Sequence, residues 1–244
     1  MEVHHHSGEH HGPKKFKEYF KEFLMIFLAV TMGFIAENVR EYLTDKNHVS
    51  ELADQLKEDL INDTIKVQYH IEFIENQIRR ADSLHDLLQQ PFALINYKQL
   101  QNMIIDCDRI DFFYPSTGAI STIKRELQLK KFVKTKISMH IDNYEKDIAV
   151  LEKYELRDIE YLGKYLESFV SGHFTPENAS FAIRRLPVAN GNMRNLKADD
   201  LVQLNVDVHL IKSYNLRLLA QYLKIRDDAT AFIIHINKTY ELDE

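Results

Sequence analysis

The chain has 244 residues, 45% hydrophobic and 28% charged, which is enough apolar material for a true core and excludes wholesale disorder. A net charge of −6 with scattered lysines excludes the basic footprint of a nucleic-acid binder. The single cysteine, Cys107, excludes an intramolecular disulfide and a cysteine-built zinc site, and only 7 glycines and 5 prolines interrupt a sequence suited to long helices.

Residues 1–18 read as a flexible tail. His4, His5, His6, His10 and His11 fall close together, and Gly8, Gly12 and Pro13 oppose a helix there. Neutral imidazole is a common ligand for zinc, nickel and copper, so these five are the candidate metal residues, for weak transition-metal binding. The competing readings are an expression tag, although the run is broken into three and two, and a solvated tail of incidental affinity. No other cofactor is expected.

Residues 19–43 read as a membrane anchor. From Phe23 to Ala36 no side chain is charged. That run alone is shorter than the ~20 residues a bilayer needs. It is apolar on every side, however, whereas a surface helix keeps a polar face. Its flanks can also extend it: Tyr19 and Phe20 suit the headgroup region, and Lys21 can snorkel outward. The span is assigned to Phe20, Phe23, Leu24, Ile26, Phe27, Leu28, Val30, Gly33, Phe34, Ile35 and Ala36. Glu22 and Glu37 flank it as solvated carboxylates. A cleaved signal competes, but Phe34 is too large for a small-x-small site ending at Ala36, and no cysteine offers a lipidation site. A buried helix of a soluble protein is the other alternative. Lys14, Lys15, Lys17 and Lys21 precede the run and only Arg40 and Lys46 closely follow it, so the N-terminus is expected in the cytoplasm.

Residues 44–244 are then an extracytoplasmic helical domain. Thr44 and Asp45 can cap a fresh start. A long helix is expected from Asp45 to Gln90. Its seam runs through Val67, Ile71, Ile74, Ile78, Ala81, His85 and Leu88, with Leu52, Leu56, Leu60 and Ile61 upstream, and Pro91 ends it. A brief helix from Tyr97 to Asp106 follows. Ser116 and Thr117 then cap a short helix bearing Ala119, Ile120, Ile123 and Leu127. A second long helix is expected from Leu129 to Ser171, with Ile137, Ile141, Tyr144, Ile148, Leu151, Ile159, Leu162, Leu166 and Phe169 on its seam and Gly172 as its stop. Thr175 and Pro176 open a short helix to Arg184. Residues 186–196 read as a loop. The third long helix spans Lys197 to Leu242, with a possible bend at Asn205. Its seam is Leu201, Leu204, Val208, Ile211, Leu218, Tyr222, Ile225, Ala229, Phe232 and Ile236, with Asn215 as the polar member. The expected fold is all-α: a transmembrane helix followed by an elongated antiparallel helical bundle with coiled-coil-like long helices.

Two stretches carry a family resemblance. One runs from Lys21 to Glu41 and contains Phe34-Ile35-Ala36-Glu37-Asn38-Val39-Arg40. The other is Phe113-Tyr114-Pro115-Ser116-Thr117-Gly118-Ala119-Ile120-Ser121-Thr122-Ile123-Lys124. They resemble a group of uncharacterised bacterial proteins, a domain of unknown function, with one N-terminal span and a helical extracytoplasmic domain. The His-rich start also looks native to that group. Where the group usually carries a Ser-Gly pair, this chain has Lys124 and Arg125. The resemblance implies architecture and a place in the bacterial inner membrane, with the domain in the periplasm; it implies no activity.

No His-Glu-x-x-His, Gly-rich phosphate loop or Gly-x-Ser-x-Gly occurs. Asp82-x-x-His85 is the nearest approach to a di-iron motif, and it stands once. His85, His140 and His209 are read as packing histidines and Cys107 as a buried thiol. The expectation is therefore a non-enzyme that presents its bundle as a scaffold or partner platform to a protein partner or a second copy, with the lipid bilayer as its other partner. The alternative is a periplasmic ligand-sensing bundle that relays through a partner. A soluble helical protein and an enzyme rank behind both.

Overall fold

The computed structural model describes residues 16–127 and 137–240. Regular structure among them is all helical; the one backbone pairing outside helices is an isolated bridge between Phe174 and Met193. The elements are α1 (Phe16–Leu88), a 3-10 turn (Phe92–Leu94), α2 (Tyr97–Cys107), α3 (Gly118–Leu127), α4 (Ile137–Leu162), a π-helical turn (Gly163–Glu167), α5 (Ser168–His173), α6 (Pro176–Ile183) and α7 (Ala198–Tyr240). The histidine tract, residues 128–136 that begin the expected second long helix, and residues 241–244 lie outside the described residues.

The helix ends follow local chemistry. Pro91 brings no N–H, and α1 stops at Leu88 with Gln89 N–H still donating to His85 O at 3.1 Å. Asn96 caps α2, its Oδ1 accepting from Gln99 N–H at 3.1 Å, a cap the sequence reading did not assign. Thr175 caps α6 as expected, accepting from Asn178 N–H at 3.3 Å with Pro176 at the first helical position. Two expectations are corrected. No new helix starts at Thr44; α1 passes through it unbroken, and the Thr44 hydroxyl donates back to Arg40 O at 2.9 Å. Gly172 is not the stop. It lies inside α5 without a positive φ, and the helix ends where Phe174 turns extended.

The chain divides into two units, residues 1–51 and 52–244. The described part of the first is helix, and its large apolar side chains point outward almost without exception.

In the second unit three helical stretches share cores. His140 stacks on Phe232 (centroids 5.1 Å apart), whereas Tyr161 meets Tyr214 (4.4 Å), so α4 and α7 run in opposite directions. His70 of α1 stacks on Tyr222 of α7 at 5.3 Å, and His85 meets His209 at 4.5 Å, so α1 also opposes α7. One core joins Leu84 of α1 and Leu100 and Ile104 of α2 to Leu166, Phe174 and Leu204, all nearly inaccessible. Each such side chain contributes roughly 1.5–3 kcal/mol on leaving water.

The seam expected on α7 is buried throughout, Asn215 included, and α7 is one uninterrupted helix. On α1 and α4 the seam is corrected. Ile61 and Ile159 are exposed, and Ile78, His85, Leu88 and Ile148 are only half-buried. The buried line of α1 instead runs Leu56, Leu60, Asp63, Val67, His70, Ile74, Gln77, Ala81, Leu84, and that of α4 takes in Asp147, Glu155 and Asp158. These polar residues are buried because each long helix packs against neighbours on more than one side, whereas apolar spacing alone does not mark them.

Candidate functional site

The residues assigned to the span lie on one helix. Phe20, Phe23, Leu24, Ile26, Phe27, Leu28, Val30, Phe34 and Ile35 are all exposed, from 41% at Leu24 to 68% at Phe34, and Gly33 and Ala36 are exposed with them. This helix contains an 18-residue stretch that is long and apolar enough to cross a membrane, and none of that stretch is buried. At its end Glu37 and Arg40 form an ion pair, with Arg40 Nε donating to Glu37 Oε2 at 3.0 Å. Thr31, the one hydroxyl in the run, donates to Phe27 O at 2.7 Å, which satisfies it without water.

In the second unit, the loop before α3 is held by two aspartates of α1. Asp63, 1% exposed, accepts from Ser116 N–H at 2.9 Å, from the Ser116 hydroxyl at 2.9 Å and from the Tyr144 hydroxyl at 2.8 Å. Lys66 Nζ, 3.1 Å away, balances its charge. One turn earlier, Asp59 Oδ2 accepts from Ala119 N–H at 3.1 Å. The cap expected from Ser116 and Thr117 comes instead from another helix: Asp59 of α1 sits at the N-terminus of α3, where free N–H groups and the helix dipole favour negative charge. The Pro115-Ser116-Thr117-Gly118 segment thus has a structural role that its sequence alone did not reveal.

Deeper in, Glu155 accepts from the Tyr222 hydroxyl at 2.5 Å and from Phe113 N–H at 3.1 Å. Burial raises the Glu155 carboxyl above its ordinary value despite those two donors. Burial also raises the Tyr222 and Tyr144 phenols, which stay protonated as donors. His70 packs in a three-ring cluster with Tyr222 and Phe113, and burial lowers its pKa, favouring the neutral imidazole. Asp158 is 5% exposed and its Oδ1 has no hydrogen-bond partner among the described residues. Burial, with Asp108 and Glu155 close by, pushes its carboxyl up to about 7. Asp108 is pushed up to about 6, mainly by burial, with Arg185 pulling it back and Glu167 adding to the rise.

A cleft of about 570 Å³ opens beside the π-helical turn, where Asp108, Gly163, Glu167, Ser168, Ala182 and Arg185 are among its lining residues. π turns recur at functional sites because the widened turn re-aims side chains. Arg185 is held at φ 54° by a double closure of α6, in which Arg185 N–H donates to Ala182 O and Leu186 N–H to Phe181 O, both at 2.9 Å. Glycine is the usual residue at that position. The loop beyond is tied down by buried Asn178, which donates to Gln101 Oε1 at 2.8 Å and to Asn192 O at 3.2 Å. At Gly191 a Cβ would come within 2.9 Å of Lys98 N, so only glycine lets the loop pass.

The histidines read as isolated packing residues come in pairs. His85 lies beside His209, its Nδ1 2.7 Å from Asn205 Oδ1, and His140 lies 4.6 Å from His235. Asp82 is engaged by Lys212. Among the described residues no group of three or more His, Cys, Asp or Glu could hold a metal ion. Burial pushes the Cys107 thiol up to about 12, which suppresses the thiolate a nucleophile needs.

The residues missed from sequence are Asp63, His70, Asp108, Glu155 and Asp158. Three of them were within reach. Asp63 and His70 continue the four–three spacing of Leu56 and Leu60, and Glu155 lies one heptad after Ile148. In comparisons with protein-family models, with curated proteins and with solved structures, none matches this chain.

Proposed function

We propose that the chain is a single-pass membrane protein of the bacterial inner membrane, anchored by residues 19–43. In this reading residues 44–244 stand in the periplasm as an elongated antiparallel bundle of coiled-coil-like helices and act as a platform for a protein partner or a second copy. The observation that carries the reading is the band of apolar side chains from Phe20 to Val39 on a helix that buries none of them. A water-soluble monomer rarely leaves a contiguous apolar patch of that kind to solvent. A bilayer removes the cost, and a helix satisfies its own backbone while crossing. The lysines before the span support a cytoplasmic N-terminus. The resemblance to single-span bacterial proteins of unknown function supports the same architecture, and no catalytic constellation argues for an enzyme.

Carbonate extraction of native membranes tests the anchor. The protein should stay in the pellet, and its release into the supernatant would overturn the reading. Crosslinking in those membranes should then trap one recurrent partner, or a dimer, through the domain after residue 44. The cleft beside the π turn favours a second reading, in which the domain senses a small ligand and relays through that partner.

A further inference from the structure

The cleft has the size of a small-molecule site, about 570 Å³ against a usual range of roughly 300–1,000 Å³. Its wall combines three chemistries. Asp108 and Glu167 bring carboxylates, Arg185 brings a guanidinium, and Val170, Ala182 and Ile183 bring apolar surface. Ile183 is 84% exposed on a helix only two turns long, so an apolar ligand would gain a ready contact there. Asp158 does not line the cleft, but it is almost wholly buried, has one carboxylate oxygen unpartnered among the described residues, and is near enough to feel the charge of Asp108. Two neighbouring carboxylates out of water repel each other, and a cation brought against Asp108 relieves that repulsion. A bare metal ion is a poor fit, since no set of three ligating side chains converges among the described residues. A purely anionic ligand would meet Glu167 and Asp108. A simple cation would meet the Arg185 guanidinium, whose field already reaches Asp108, and would be repelled by it.

We propose that this cleft binds a small zwitterion with an apolar body, its ammonium held by Asp108 and Glu167 and its carboxylate by Arg185. The inference gives a ligand class to the sensing reading and does not depend on the anchor, so the carbonate experiment leaves it untouched.

The test uses the full-length chain in detergent, with calorimetric titration and the thermal midpoint as readouts. The probes are L-leucine, isopentylamine, which lacks the carboxylate, and 4-methylpentanoate, which lacks the amine. L-leucine should bind saturably and raise the midpoint, and each half-analogue should bind at least about tenfold more weakly. Arg185→Gly suits the left-handed backbone and so removes the guanidinium without new strain; it and Asp108→Asn should each weaken L-leucine by about tenfold or more. Lys153→Ala, remote from the cleft, should leave binding as it is. The proposal is overturned by absence of saturable L-leucine binding at tens of millimolar, by binding that both variants leave intact, or by an amine or acid that binds as tightly as the zwitterion.

Discussion

Asp63 shows how one buried carboxylate can organise its surroundings. It takes three protein donors besides Lys66, and removing it strands a backbone N–H, a serine hydroxyl and a phenol together. A buried polar group left without its partner costs about 1–3 kcal/mol, so Asp63→Ala should lower unfolding stability by roughly 3 kcal/mol or more, and Tyr144→Phe by only about 1. Urea titration of both variants checks the ordering, and equal losses would mean that the network is not shared in this way. Asp158 works in the opposite sense. Its carboxyl rises from 3.8 to about 7 in the fold, so between those values the native state holds a proton that the unfolded chain has released. Stability from this group is therefore present below about pH 4 and is lost as pH climbs through about 7. Asp158→Asn should flatten that decline and raise the unfolding free energy near pH 8 by on the order of a few kcal/mol, with a higher thermal midpoint, while changing little near pH 4. A variant no more stable than wild type at pH 8 would remove Asp158 as the cause. His70, held neutral, contributes the reverse slope and loses stability as pH falls below its ordinary value of 6.5.

Each long helix carries a four–three line of buried positions, and the lines differ in how they could be read. On α7 the line is apolar except for Asn215, and periodicity found it whole. On α1 it passes through Asp63, His70 and Gln77, each seven residues apart, whereas the apolar spacing of Val67, Ile71 and Ile74 leads off it to Ile78. On α4 the buried line is less regular, with two threes at Ile141–Tyr144–Asp147 and two fours at Asp147–Leu151–Glu155, and it continues through the π turn from Leu162 to Leu166. Ile141 is 0% exposed and lies on this line, so Ile141→Asp should bury an unpaired carboxylate and cost several kcal/mol. Lys153→Ala, on the outer face, should stay within about 0.5 kcal/mol. Thermal melts of the two variants in detergent compare them directly, and a wild-type midpoint for Ile141→Asp would contradict the packing of α4.

For the whole molecule, the reading turns on where residues 44–244 reside. If lysines set the orientation, an alkaline phosphatase fused after Glu244 should be active, because that enzyme matures only outside the cytoplasm. A bright cytoplasm-dependent fluorescent fusion at the same point would reverse the topology while leaving the anchor intact. By itself the sequence determined what periodicity and composition can carry: an all-helical chain, the apolar stretch near the start, the stop at Pro91, the helix start at Thr175 and Pro176, and the α7 seam. These are local properties, written in spacing, in the backbone limits of proline and in the capping hydroxyl of threonine. Only the tertiary structure decided the rest. It brought Asp59 and Asp63 to the Ser116–Ala119 turn, set Asp108 beside Asp158, and opened the cleft between α5, α6 and the π turn. The two aspartate contacts and the approach of Asp108 to Asp158 join residues about 50 positions apart or more, and nothing in a single sequence fixes the rotation of one helix against another. A polar residue on a helix face reads the same whether water or a buried partner awaits it, and burial by neighbouring helices is what turns it into part of a site.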